Sequence, residues 1–287
     1  MSIKTILAPI ADAQTGKNTL KAAFLVAKQF DAHVDVLHVR PDPRAAVVDY
    51  VGEAVSGAMI EKVIKSTIER SAKNAQSARK LFDAACRTGS VVIAERAPAP
   101  GGASAAWREE IGYEDRWLQS YGRLTDLVVV ARALNDQDLM AKLSLEAGLM
   151  ETGRPILVVP PKAPAKIGSS IAIAWKANAE ASRAISAAMP FIETARKVTI
   201  LSVAENDEDQ RLTQIQAYLA WHGVRAKVES SRTKGDIGPA LLSAADKAGA
   251  DMLVMGAYSH SRVREMILGG VTKHVVANAG LPVLMAH

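Results

Sequence analysis

The residues best placed to do chemistry lie near the end of the chain, between Gly256 and Thr272. Gly256 closes a short apolar run, and Gly269 and Gly270 open a stretch with helical spacing. Glycine has no side chain, so backbone N–H groups at such positions can approach an oxyanion closely. A helix start adds free N–H donors and the positive end of the helix dipole. Arg262, Arg264 and Lys273 add positive charge nearby, and His260 lies in the same loop. The chemistry is anion binding, and it suits the phosphates of a nucleotide. The same glycines also suit turn geometry alone, so an inert loop stands as a second reading.

Other chemistries find less support. There is no Gly-x-Ser-x-Gly elbow and no Gly-x-x-x-x-Gly-Lys-Ser/Thr loop, which argues against an α/β-hydrolase and a P-loop ATPase. No catalytic residues are assigned. The chain reads as a binding protein, with weak ATP hydrolysis or autophosphorylation on Ser259, Ser261 or Thr272 entering only by analogy. His33 and His38, with Asp31 and Asp35, form a conceivable metal grouping. Strand alternation sends neighbours to opposite faces, so they read as structural or exposed, and no metal site is expected. The single cysteine, Cys86, sits in an alanine-rich helical segment and reads as a buried small hydrophobe. One thiol gives no internal disulfide, which fits a reducing, cytoplasmic setting.

Composition narrows the partners. The chain has 287 residues, with 35 Lys+Arg against 30 Asp+Glu, for a formal charge of +5. That excess is mild and forms no basic block, and aromatics are only 5%. Nucleic acid is therefore not an expected partner. No run of 18 apolar residues occurs, so no membrane association is expected, and no apolar leader is evident at the start.

The elements that must position the loop come in two sets. Val34–Val39 echoes Val198–Val203, Thr125–Ala131 echoes Ala250–Gly256, and Gly153–Val159 echoes Gly280–Ala286. The copies keep their order, as in a duplicated module. Pro160, Pro161 and Pro164 mark a linker between them. Two domains follow, 1–161 and 168–287. In the second, buried-strand runs are read at Ile171–Trp175, Val198–Val203, Val224–Glu229, Met252–Gly256 and Pro282–Ala286. Helical spacing fills Glu180–Glu193, Asp207–His222, Asp236–Ala248 and Val271–Asn278. In the first, strands are read near Thr5–Ile10, Val34–Val39, Val91–Ala94, Leu127–Ala131 and Pro155–Val159. A long helix is read over about 53–86 and another over about 103–123, with Trp107 and Trp117 as packing residues. Strands alternating with helices predict an α/β fold. It would comprise two tandem doubly wound domains, each a five-stranded parallel sheet in the order 3-2-1-4-5 with helices on both faces. Such sheets bind ligands beyond the strand ends where the order reverses, which is where the glycine loop falls. The matching stretch of the first half, Arg132–Gly148, has no glycine before Gly148 and carries Asn135, Asp136 and Asp138. It is read as a degenerate loop.

The stretch Met255–Thr272 resembles the ligand loop of universal stress proteins, in the tandem two-domain arrangement. ATP-binding members have Gly, two residues, Gly, nine residues, then Gly and Ser or Thr. Gly256 and Gly269 match, whereas Ser259 stands at the second glycine and Gly270 at the hydroxyl position. The resemblance implies a stress-response regulatory protein whose second domain binds ATP or another adenine nucleotide, with Mg²⁺ between phosphates. It implies a nucleotide site of Gly256, Ser259, His260, Arg262, Gly269, Gly270, Val271, Thr272, Trp175, Lys176 and Val203. Lys176 stands near the usual acidic residue after strand one, and reads either as a partner for an anion or as a solvated lysine. A stress scaffold or dimerisation module holding another small ligand is the alternative. The closing strands Ile156–Val159 and Val283–Ala286 are apolar and uncharged, a poor composition for free edges. Pairing them would make an intramolecular pseudo-dimer, and a homo-oligomer is also expected.

Overall fold

The computed structural model describes residues 2–44, 57–96, 101–133, 138–162, 164–204, 212–233, 235–257 and 269–287. The first half runs β1 (Thr5–Pro9), α1 (Ala13–Phe30), β2 (His33–Arg40), α2 (Gly57–Gly89), β3 (Val92–Ile93), β4 (Ser104–Ile111), α3 (Glu114–Gly122), β5 (Leu127–Ala131), α4 (Leu139–Glu151) and β6 (Ile156–Val159). The second runs β7 (Ser170–Ala174), α5 (Ala179–Thr194), β8 (Lys197–Ala204), α6 (Leu212–Trp221), β9 (Ala226–Arg232), α7 (Ile237–Lys247), β10 (Met252–Gly256), α8 (Gly270–Asn278) and β11 (Val283–Ala286).

Among the described residues the strands form one eleven-stranded sheet, in the order β3-β4-β2-β1-β5-β6-β11-β10-β7-β8-β9. Within each half every pairing is parallel. The halves meet where β6 pairs antiparallel with β11, with Leu157 opposite Leu284 and Val158 opposite Val283. The second half follows the 3-2-1-4-5 order. The first half departs from it: its five equivalent strands keep that order, but a sixth, β3, lies outside them.

That departure corrects two expectations. The stretch read as a helix over about 103–123 is a strand, a turn and a short helix. The run read as the third strand, Val91–Ala94, is only the two-residue edge β3. The true third strand, β4, matches all eight residues of β2 in register, from His33–Ser104 to Arg40–Ile111. Alanine and glutamate favour helix locally, but tertiary pairing overrides that weak preference. Beyond Trp107 the strand alternates. The Trp107 indole donates to Glu109 on one face, while Arg108 pairs with Asp35 at 2.8 Å on the other.

Each sheet face carries a core that spans both halves. On one face lie α1, α2, α5 and α6, through residues such as Leu20, Phe24, Phe82, Ile185 and Leu219. There Phe30 meets Phe191 edge to face at 4.9 Å across the two halves. On the other lie α3, α4, α7 and α8, through Leu118, Leu145, Leu241 and Val275. Trp107 packs against Phe82, and the Trp117 indole donates to the Ile111 carbonyl, so both are packing residues. Cys86 is buried in the first core, and desolvation pushes its thiol up to about 11. No helix among the described residues is long and apolar enough to cross a membrane.

Two outcomes are expected. Leu157 is fully buried at the junction of the halves. Leu157→Ala should cost about 2–5 kcal/mol in urea denaturation, and a loss too small to measure would contradict a packed junction. Glu114 opens α3, is buried, and accepts from the Ser144 hydroxyl of α4. Burial raises its pKa above the ordinary 4.5; Ser144 opposes this, and Asp115, Asp138 and Asp12 reinforce it. A raised folded pKa means that folding favours the protonated form. Its stability contribution is full below the unfolded value and lost as pH rises through the folded one. Wild type should therefore lose urea resistance relative to Glu114→Gln as pH rises from about 4.5 through this window. Parallel profiles of the two proteins would contradict it.

Candidate functional site

The carboxyl ends of β7 and β10 lie side by side, with Ala174 opposite Met255. The chain leaves β7 towards α5 on one sheet face, and α8 lies on the other. The strand order reverses between these two strands, the position at which doubly wound sheets take ligands beyond their strand ends. Trp175 and Lys176 follow β7, Gly256 ends β10, and Val203 stands near the end of neighbouring β8. Gly269–Thr272 open α8. The fold thus brings Trp175, Lys176, Val203, Gly256 and Gly269–Thr272 to one edge of the sheet. Ser259, His260 and Arg262, with Ser261 and Arg264, lie outside the described residues.

Gly256 has a packing reason of its own. A Cβ there would stand 2.5 Å from the Ala181 nitrogen and 2.6 Å from the Glu180 carbonyl carbon. Only glycine lets the first turn of α5 seat against the end of β10. That turn is capped by Asn178, whose side-chain oxygen accepts from the Ala181 N–H at 2.9 Å. Glu180 complements the dipole in the same turn. The Lys176 carbonyl accepts from the Asn178 N–H at 2.7 Å, and the Lys176 side chain is exposed.

Gly269 and Gly270 differ from Gly256. Both are exposed, and a Cβ at either would meet nothing within 4 Å. Gly269 is the N-cap of α8, with φ −53°, which any residue can adopt, and among the described residues no side chain caps this helix. Among the described residues the start of α8 thus offers amide donors without a side-chain acceptor, beside the exposed Lys273. Val271 is half-buried against the core under α7 and α8, and Thr272 is buried. Trp175 packs on the core of the α5 face and Val203 on that of the α8 face, so they flank the sheet edge from opposite sides.

The first half presents the same edge with opposite chemistry. Helix α4 follows β5 as α8 follows β10, but α4 starts on Asp138, whose carboxylate accepts from the Ala141 N–H at 3.3 Å. Asp12, after β1, accepts from the Thr15 N–H at 2.9 Å. Buried Glu114 lies within electrostatic reach of both. Asn135 and Asp136 are outside the described residues. The negative charge of Asp138 was legible in the sequence, but the helix that it caps, α4, was read as part of a degenerate loop. The Glu114–Ser144 contact was not legible, because it joins residues 30 positions apart on two helices. A further missed glycine is Gly238 of α7, where a Cβ would come within 2.8 Å of the His274 side chain of α8. Among the described residues no group of three or more His, Cys, Asp or Glu forms a metal site. Instead, His33 faces Ser104 and Asp35, and buried His38 bonds the Ile10 carbonyl.

Residues 171–287 match the model of the universal stress protein family. Among solved structures, a universal stress protein from Archaeoglobus fulgidus DSM 4304 matches at 15% identity and a TM-score of 0.71, over 99% of this chain and 96% of that one. A protein from Pseudomonas aeruginosa UCBPP-PA14 matches at 17% identity and a TM-score of 0.57, over 99% and 93%. A universal stress protein in complex with cAMP also matches, at 12% identity and a TM-score of 0.33, over 56% of this chain and 100% of that one. No curated protein matches. At these identities the structural likeness speaks for the fold, which runs the length of the chain. Residues 171–287 belong to the universal stress protein family, and the first half of the chain repeats the α/β fold of that domain.

Proposed function

We propose that the chain is a tandem universal stress protein whose second domain, 168–287, binds an adenine nucleotide, while the first, 1–161, does not. One observation carries this reading: two helices in equivalent places start differently. Helix α4 meets its own Asp138 carboxylate, whereas α8 begins on two exposed glycines that meet no capping side chain among the described residues. An anion from outside satisfies the amides that a carboxylate satisfies in the first half. Gly269 and Gly270 would lend N–H groups to the phosphates. Lys176 and Lys273 would supply positive charge, with Ser259, His260 and Arg262 in the loop between. Trp175, Val203, Gly256, Val271 and Thr272 would frame the crevice. Mg²⁺ would be carried by the phosphates. Occupancy would signal to a partner in the cytoplasm, with a homo-oligomer as the working form and no chemical turnover needed.

A second reading keeps the anion and drops the nucleotide. Gly270 lacks a hydroxyl, and the Thr272 side chain is buried, which favours a smaller anion held by a stress scaffold. Intact-mass spectrometry of gently purified protein separates the two, since a co-purified nucleotide counts against the scaffold.

Calorimetry with ATP, ADP and AMP tests the main reading, together with Gly269→Val. Among the described residues a side chain at 269 meets nothing within 4 Å, so the variant should fold, with a loss of about 1 kcal/mol at most from the poorer N-cap. The same side chain would obstruct a phosphate, and affinity should fall at least ~10-fold, about 1.4 kcal/mol. Absence of binding to wild type at millimolar nucleotide, or unchanged affinity in the variant, would overturn the proposal.

A further inference from the structure

We infer that Arg132, a residue of the first half, is a positioning residue for the nucleotide-facing helix of the second. Arg132 directly follows β5, and its N–H donates to the Val159 carbonyl at 2.9 Å. Its counterpart is Ala257, whose N–H donates to the Ala286 carbonyl at 2.9 Å. The two positions thus share a backbone setting but not a side chain. The Arg132 guanidinium crosses the junction of the halves, and Nη1 donates to the Ala279 carbonyl at 2.8 Å.

Ala279 is the C-cap of α8, and its own N–H donates to the Val275 carbonyl. The last carbonyls of a helix have no partner within it, and they form the negative end of its dipole. A guanidinium there supplies both a donor and a charge of the right sign. The side chain is partly buried, and its Nε is buried with no hydrogen-bond partner among the described residues. Burying that nitrogen carries a cost, so the Nη1 contact must be held firmly for the side chain to stay there.

Helix α8 has nine residues, so its two ends lie only about 13 Å apart. A helix this short moves as a unit. Its flank is fixed by α7, where Gly238 admits His274. Its C-terminus is fixed by Arg132. Its open start, Gly269–Gly270, takes the direction that these two contacts set. The second half returns nothing equivalent, because Ala257 has no polar side chain to reach α4. Coupling through this contact therefore runs from the loop start of the first half to the helix start of the second. The effect on nucleotide affinity rests on the function proposed above; the anchoring of α8 does not.

The test uses the full chain as wild type, Arg132→Met and Arg132→Lys, with hydrogen–deuterium exchange measured without nucleotide. Arg132→Met keeps much of the bulk and removes the donor and charge. Its α8 amides should exchange at least ~10-fold faster, while those of α1 and α5 keep their wild-type rates. Arg132→Lys retains a charge and a donor and should recover most of the protection. Unchanged α8 exchange in Arg132→Met, or an equal rise throughout both halves, would overturn the inference. Calorimetry with ATP on the same proteins should show a several-fold weaker affinity for Arg132→Met alone. If wild type binds no ATP, the nucleotide reading fails, and the exchange data still decide whether Arg132 anchors α8.

Discussion

Strand β6 meets strand β11 edge to edge, and both cores of the molecule run across that meeting. Each strand would otherwise expose a row of unpaired N–H and C=O groups beside an apolar, uncharged surface. Antiparallel pairing satisfies the backbone of both and leaves Ile156, Leu157, Val283 and Leu284 essentially without solvent contact. Burying each such side chain favours the folded state by roughly 1.5–3 kcal/mol. The joined sheet then presents two continuous faces, and helices from both halves cover each of them. Phe30 reaches Phe191 on one face, and Arg132 reaches Ala279 on the other. The remaining sheet edges are guarded differently: β3 is only two residues long, and β9 ends in polar and charged residues.

On this shared scaffold the two halves have diverged at the helix starts. The strand order reverses between β7 and β10 as it does between β1 and β5. At the former reversal, the amides at the start of α8 meet no capping side chain among the described residues; at the latter, Asp138 has taken the place at α4 and Glu114 is buried close by. A carboxylate at a helix start is the internal equivalent of a bound anion. The divergence therefore alters what the edge can hold without altering the sheet that supports it. Arg132 belongs to the same divergence: where the second half has Ala257, the first half has a guanidinium that reaches the carbonyl closing α8.

The second half was legible in the sequence because its strands are short apolar runs and its helices keep a strict three-to-four spacing. Each of its five strands lies within a few residues of the run that marked it, as β10 does for Met252–Gly256. In the first half, β4 was hidden. Ala105 and Ala106 are both buried, so the alternation that marks a one-faced strand is missing where it begins. Glu109 and Glu110 add helical preference at its end. The glycines were also only partly legible. Gly256 was read as an anion contact, yet contact with Glu180 and Ala181 alone requires a glycine there. Gly269 and Gly270 have no such steric demand, which leaves their exposed backbone as the feature open to a ligand. Long-range contacts such as Arg132 to Ala279 join residues 147 apart, and no local pattern announces them.

The most direct test of this asymmetry is a titration of isotopically labelled protein with ATP, followed by amide resonances. Gly256, Gly269 and Gly270 should shift in proportion to occupancy, while the amides from Asp138 to Ala141 stay in place. No shift at Gly269 and Gly270, or an equal response at the start of α4, would contradict the account.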